Sequence, residues 1–127
     1  MIEHISIPVK NYKKAKAFYT AVLKPLGYKH NMEYGKAGGF MEGGHTSFWI
    51  VEKPFRGSSH IAFHARSRKA VHDFHAAALK TGAKNNGSPG PRPDYSRDYY
   101  AAFIIDPDGH NIEAVTFARS TKKKSRR

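Results

Sequence analysis

The chain has 127 residues, 39% of them hydrophobic, with no cysteine and a formal net charge of +12. That length suits one domain or two small half-domains, and the apolar content argues against global disorder. Without cysteine there is no disulfide framework, no thiolate metal site and no cysteine nucleophile. No apolar run reaches membrane-spanning length and "MIEHISIPVK" lacks a signal-peptide pattern, so the expected location is cytoplasmic and no membrane partner is expected.

The first predicted element is a strand in which Ile5, Ile7 and Val9 alternate with polar or small residues. Asn11 then suits a helix N-cap, and Ala15, Phe18, Tyr19, Val22 and Leu23 form an apolar stripe at helical spacing. Gly27 suits the helix exit. Short strands and turns follow in "YKHNMEYG", "GGFMEGG" and "HTSFWIVE". The glycine-rich "GKAGGFMEGG" reads as tight turns around a short strand, since no long helix follows it as a phosphate cradle requires.

After a connecting segment, "KPFRGSS", the chain repeats itself. His4–Lys24 lies over His60–Lys80 at a constant offset of 56 without a gap, and 7 of the 21 positions are identical. The second copy has its own strand (Ile61, Phe63, Ala65), N-cap (Ser67), helical stripe (Val71, Phe74, His75, Ala78, Leu79) and exit glycine (Gly82). A Gly/Pro-rich stretch, "NNGSPGPRPDYSRD", reads as a loop before the strands "YYAAFIID" and "HNIEAVTF". "GGHTSFWIV" aligns with "DGHNIEAVT", which puts Phe48 opposite Glu113. The expected architecture is α+β: two βαβββ modules, about residues 3–52 and 60–117, within a domain spanning 1–118.

Strand alternation assigns faces. If Ile5, Ile7 and Val9 lie under a helix, His4, Ser6 and Pro8 line the opposite face, and His60, Ala62 and His64 line its counterpart. Glu113 shares a mostly apolar face with Val115 and Phe117.

The stretches "HISIPVKNYKKAKAFYTAVL", "HIAFHARSRKAVHDFHAAAL" and "DPDGHNIEAV" together resemble the glyoxalase/bleomycin-resistance/extradiol-dioxygenase superfamily, also called the vicinal oxygen chelate fold, over residues 1 to about 118. The resemblance implies a cupped mixed sheet around a divalent metal (Fe, Mn, Zn or Ni), with ligands at His4, His60 and Glu113. It implies a metal-dependent lyase, isomerase or dioxygenase acting on a small oxygen-bearing substrate. It also implies a homodimer, in which His4 of one chain can join His60 of another. Glyoxalase I enzymes carry a fourth ligand where the repeat puts Phe48, which cannot ligate, so Phe48 is expected to line the substrate cavity. The alternative within the fold is a non-catalytic binding or resistance protein, in which His4, His60 and Glu113 are hydrogen-bonded polar lining.

Other residues carry weaker signals. His64 reads as a general base near neutral pH or as a core-edge histidine. Alternation sends either Tyr99 or Tyr100 toward the cup, where a phenol can donate to a developing oxyanion or simply pack. Arg92 and Arg97 flank "PDYS"; Arg92 is a candidate for binding a substrate carboxylate or phosphate. His45 and His110 begin matching strands and read as turn residues, while His75 reads as packing. The tail after residue 118 holds six of the 22 basic residues and no acid, leaving 16 against 10, or +6, for the rest. The tail is expected to be a disordered solubilising extension without specific nucleic-acid binding. The residual positive charge favours an anionic small-molecule partner.

Overall fold

The computed structural model describes residues 1–119. Residues 120–127, which hold most of the basic tail, lie outside the described residues.

Each half of the chain builds one four-stranded sheet with one helix. The first comprises β1 (Ile5–Val9), α1 (Tyr12–Leu23), a short 3-10 turn (Lys24–Leu26), β2 (Lys29–Tyr34), β3 (Ala37–Glu42) and β4 (His45–Glu52). The second comprises β5 (His60–His64), α2 (Arg68–Lys80), β6 (Lys84–Pro91), β7 (Tyr100–Ile105) and β8 (Asn111–Thr116). The sheet orders are β1-β4-β3-β2 and β5-β8-β7-β6. In each, the first strand pairs parallel with the last, across the helix, and the remaining pairs are antiparallel. This is the α+β pair of βαβββ modules the repeat implies.

Local chemistry sets the element ends. The Asn11 side chain accepts from the Lys14 N–H and the Ser67 side chain from the Ala70 N–H, each satisfying a free donor of a first helical turn. Gly27 leaves the first helical segment at φ 90°, a conformation a Cβ would strain. The Gly/Pro-rich stretch differs from its sequence reading: its first half is β6, not loop. It is an edge strand interrupted by register shifts between Asn85 and Gly87 and between Gly87 and Gly90. An edge tolerates the proline that an inner ladder would reject, and bulges absorb the irregularity.

The helix-bearing faces of both sheets share one core. Tyr19, Phe40, Phe48 and Phe63 form its aromatic centre, with Phe48 set 5.1 Å from Phe63 of the other module, edge to face. The modules are also tied by polar contacts. The buried Tyr19 hydroxyl of α1 donates to Asp106, whose other oxygen accepts from the Asp108 and His110 N–H groups. The fully buried His110 accepts from the Ser59 N–H at Nδ1, so its Nε2 carries the proton donated to the Pro8 carbonyl, 2.8 Å away. His110 is thus a turn residue, as read from sequence, and also an inter-module bond. His75, on the buried side of α2, donates from Nε2 to Asn85 Oδ1 of β6.

The opposite face of each sheet carries no helix. Among the described residues, no helix is long and apolar enough to cross a membrane.

Candidate metal centre

On the open face of the second sheet, the parallel pairing of β5 with β8 sets His60 beside Asn111 and Ala62 beside Glu113. Glu113 is 2% exposed although it faces away from α2. Phe103, its cross-strand partner on β7, covers one side and stacks on the His60 ring at 6.4 Å. His60 Nδ1 lies 3.1 Å from the Asn111 carbonyl oxygen, which only accepts, so Nδ1 carries a proton. That leaves His60 Nε2 to face Glu113 Oε1 at 3.2 Å. An imidazole nitrogen and a carboxylate oxygen at that separation can share a proton or a metal ion. An imidazole nitrogen oriented by a backbone carbonyl, next to a carboxylate oxygen, is a donor set that divalent ions accept.

The second carboxylate oxygen, Glu113 Oε2, accepts the hydroxyl of Tyr99. Burial, then the bond to Glu113, push the Tyr99 phenol up to about 12, so it keeps its proton at neutral pH. Of the two candidate tyrosines, Tyr99 therefore belongs to this face. Tyr100 points to the other side, where it meets His72 at 2.6 Å and lies under the Arg68 guanidinium at 4.4 Å; the cup role read for Tyr100 does not hold. His64 shares the open face but pairs with Val115, and its ring stacks on Phe117, not on Glu113.

His4 stands apart from this pair. Its Nδ1 contacts the Glu3 carboxylate, and it lines a cavity of about 420 Å³ with Glu3, Met32, Gly44, His45, Thr46 and Trp49 on the first module. His45 holds the Glu3 carbonyl at 2.7 Å. Among the described residues, no three His, Cys, Asp or Glu side chains gather as a metal site within the one chain.

Phe48 is 1% exposed and packs in the core under α1; it reaches a cavity of about 190 Å³ lined also by His4, Ala62 and His64, but it does not lie on the strand face equivalent to that of Glu113. The ungapped alignment misses one residue. Between β3 and β4 the register passes from Phe40↔Phe48 to Met41↔Thr46, which leaves Ser47 as an extra residue. The β7–β8 ladder has no such shift. Counting from the parallel ladders, Ser6↔Trp49 corresponds to Ala62↔Glu113, so Trp49 is the counterpart of Glu113. A slip of one residue exchanges the two faces of a strand. Trp49 stacks on Tyr34 at 6.0 Å, above Gly39, where a Cβ would come within 2.9 Å of the indole. Sequence could have found Trp49 by allowing one inserted residue within β4, at Ser47.

Arg92 spends its guanidinium on the carbonyls of Ser88, Gly90 and Pro91 and lies over Phe103 at 5.4 Å. It stabilises the loop beside Glu113, a role that its position between two prolines did not signal.

The family model of the Glyoxalase/Bleomycin resistance protein/Dioxygenase superfamily matches residues 1–114. A glyoxalase/bleomycin resistance protein from Albidiferax ferrireducens is 26% identical at a TM-score of 0.80, over 90% of this chain and 97% of its own. The fosfomycin resistance protein FosX from Mesorhizobium loti is 17% identical at a TM-score of 0.67, over 98% and 97% of the two chains. A FosX from Listeria monocytogenes, solved with Mn(II) and 1S,2S-dihydroxypropylphosphonic acid, is 20% identical at a TM-score of 0.68, over 99% and 96%. No curated protein matches the chain.

Proposed function

We propose, from the premise that the chain belongs to the Glyoxalase/Bleomycin resistance protein/Dioxygenase superfamily, that it is a divalent-metal-dependent enzyme in which His60, Glu113 and His4 hold the ion. The observation that carries this reading is the buried Glu113 carboxylate with Oε1 3.2 Å from His60 Nε2. A bound Fe, Mn, Zn or Ni ion would supply Lewis acidity toward two oxygens of a small substrate, the common requirement of lyase, isomerase and dioxygenase chemistry. Around it, the chain's own groups orient the donors. Asn111 orients His60, Tyr99 holds Glu113, and Phe103 stacks on the His60 ring.

His4 precedes β1 of the other module and lines one cavity with Trp49 and Met32 and a second, smaller one with Ala62 and His64 of β5, but among the described residues no three candidate ligands gather within one chain. The reading therefore pairs two chains in a homodimer, so that the open face of one first module closes over the open face of a partner's second module. This stacks the Trp49 and Tyr34 rings against the substrate volume. The proposed substrate is a small cytoplasmic molecule. Its anionic character rests on overall charge alone, because the Arg92 guanidinium is already engaged by three carbonyls.

The test is metal content of the untagged protein, wild type against Glu113→Gln. About one tightly held ion per chain in wild type and at least a hundredfold weaker binding in the variant are expected. The Mn(II) held by the Listeria FosX makes manganese the first ion to try in reconstitution. No binding of Fe(II), Mn(II), Zn(II) or Ni(II) by wild type would overturn the reading. One observation favours non-catalytic binding instead: the phenol nearest the pair already donates its hydrogen bond to Glu113, and His64 is turned to Phe117. Metal binding without turnover of any diol, epoxide or catechol substrate would select that second reading.

A further inference from the structure

Within the proposed metal centre, and resting on that reading, we infer that Tyr99 is a positioning residue that fixes the plane of the Glu113 carboxylate, so that one oxygen faces the ion and the other is held away from it. A carboxylate rotates about its last torsion with little preference between two broad minima. Left alone, the Glu113 carboxylate can tilt so that one oxygen or both face the ion. The Tyr99 hydroxyl removes that freedom by donating to Oε2, which leaves Oε1 at His60 Nε2. The same proton cannot serve a substrate oxygen while Glu113 holds it, so Tyr99 acts through Glu113 rather than on substrate.

The surrounding structure is built to hold this phenol. The Tyr99 carbonyl accepts from the Arg92 N–H at 2.7 Å, and its own N–H donates to Ser96. The ring is wedged edge-on between Tyr95, at 5.0 Å, and Phe117, at 5.4 Å. Arg92 clamps the three carbonyls preceding that turn. A side chain held at its backbone and in contact with two other rings gives up little further entropy when it bonds Glu113. Tyr100, its sequence neighbour, provides an internal control, because it lies on the opposite side of β7 against α2.

The experiment titrates Mn(II) into wild type, Tyr99→Phe, Tyr100→Phe and Glu113→Gln, and records the visible spectrum of each Co(II)-loaded form. Tyr99→Phe is expected to fold, to keep the wild-type stoichiometry, and to bind Mn(II) about 10–100-fold more weakly. Its Co(II) band is expected to move, because the freed second oxygen of Glu113 can join the first at the ion. Tyr100→Phe is expected to match wild type in both. Affinity within twofold of wild type and an unmoved Co(II) band in Tyr99→Phe, with binding lost in Glu113→Gln, would sink the positioning role and leave the metal centre standing. Equal weakening in Tyr99→Phe and Tyr100→Phe would also sink it, since strand-end loosening would then explain both. Wild type binding no more metal than Glu113→Gln would remove the metal centre and this inference together.

Discussion

In the first module β4 sets Trp49 beside Ser6; in the second, β8 sets Glu113 beside Ala62. The two positions are equivalent, yet one presents an indole and the other a buried carboxylate. Around Trp49 lie Tyr34, Met32 and a glycine with no side chain to crowd the ring. Around Glu113 lie an imidazole, a phenol and a covering phenylalanine. The helix sides of both sheets, by contrast, are alike: aliphatic and aromatic side chains meeting in one core. Duplication has kept what folding needs on one face and let the other diverge. The indole, with His4 and His45 near it, and the buried carboxylate now sit on separate modules.

The sharpest way to break this comparison is to exchange adjacent residues across the one-residue slip. Phe48→Ala removes a core ring that touches Tyr19, Phe40 and Phe63 and is expected to cost about 3–5 kcal/mol. Trp49→Ala, one position along, leaves the core intact and is expected to cost about 1 kcal/mol, from lost contact with Tyr34. Urea denaturation of both variants decides it. Equal costs would mean that the face assignment, and with it the correspondence of Trp49 to Glu113, is wrong.

A smaller loss is expected where the modules are joined. Tyr19→Phe leaves one oxygen of the buried Asp106 without the hydroxyl it accepts. An unsatisfied buried acceptor costs about 1–3 kcal/mol. Burial already raises the Asp106 pKa, an effect the Tyr19 bond opposes. The loss in Tyr19→Phe is therefore expected to be larger at neutral pH, where Asp106 is charged, than near pH 4. A stability difference that does not shrink on acidification would assign the effect to packing.

Most of the fold could be read from the repeat at an offset of 56, because strand alternation, N-caps Asn11 and Ser67 and the helical stripes are local signals. His60 and Glu113 emerged for the same reason: they sit at regular positions on strands whose ladder has no shift. What failed depended on register. The extra Ser47 turned Phe48 inward, and no composition signal marks a bulge. β6 was hidden by its glycines and prolines, which an edge strand accepts. The choice between Tyr99 and Tyr100 needed the exact strand start. His4 was legible as a candidate, but its distance from Glu113 within one chain is a property of how the modules dock.

The smallest expected effect compares how each helix is fastened to its outer strand. In the second module α2 holds β6 through His75 and Asn85. In the first, Tyr12 of α1 donates to Glu33 of β2 at 2.6 Å, and Lys16 reaches the same oxygen at 2.9 Å. The Tyr12 bond, then the Lys16 bond, hold the Glu33 carboxylate below its usual range. A carboxyl group lowered on folding contributes stability above its unfolded pKa, near 4.5, and loses that contribution as pH falls through the lower folded value. Acid is therefore expected to loosen the α1–β2 fastening in a window below about pH 4.5. Tyr12→Phe is expected to move the Glu33 titration, followed by NMR of its carboxylate carbon, back toward that value. It leaves a residual lowering from Lys16, which added salt is expected to erase because that pair is exposed. A Glu33 titration unchanged by Tyr12→Phe would show that the carboxylate is held by Lys16 alone, and the first module would then lose its neutral tie between helix and outer strand.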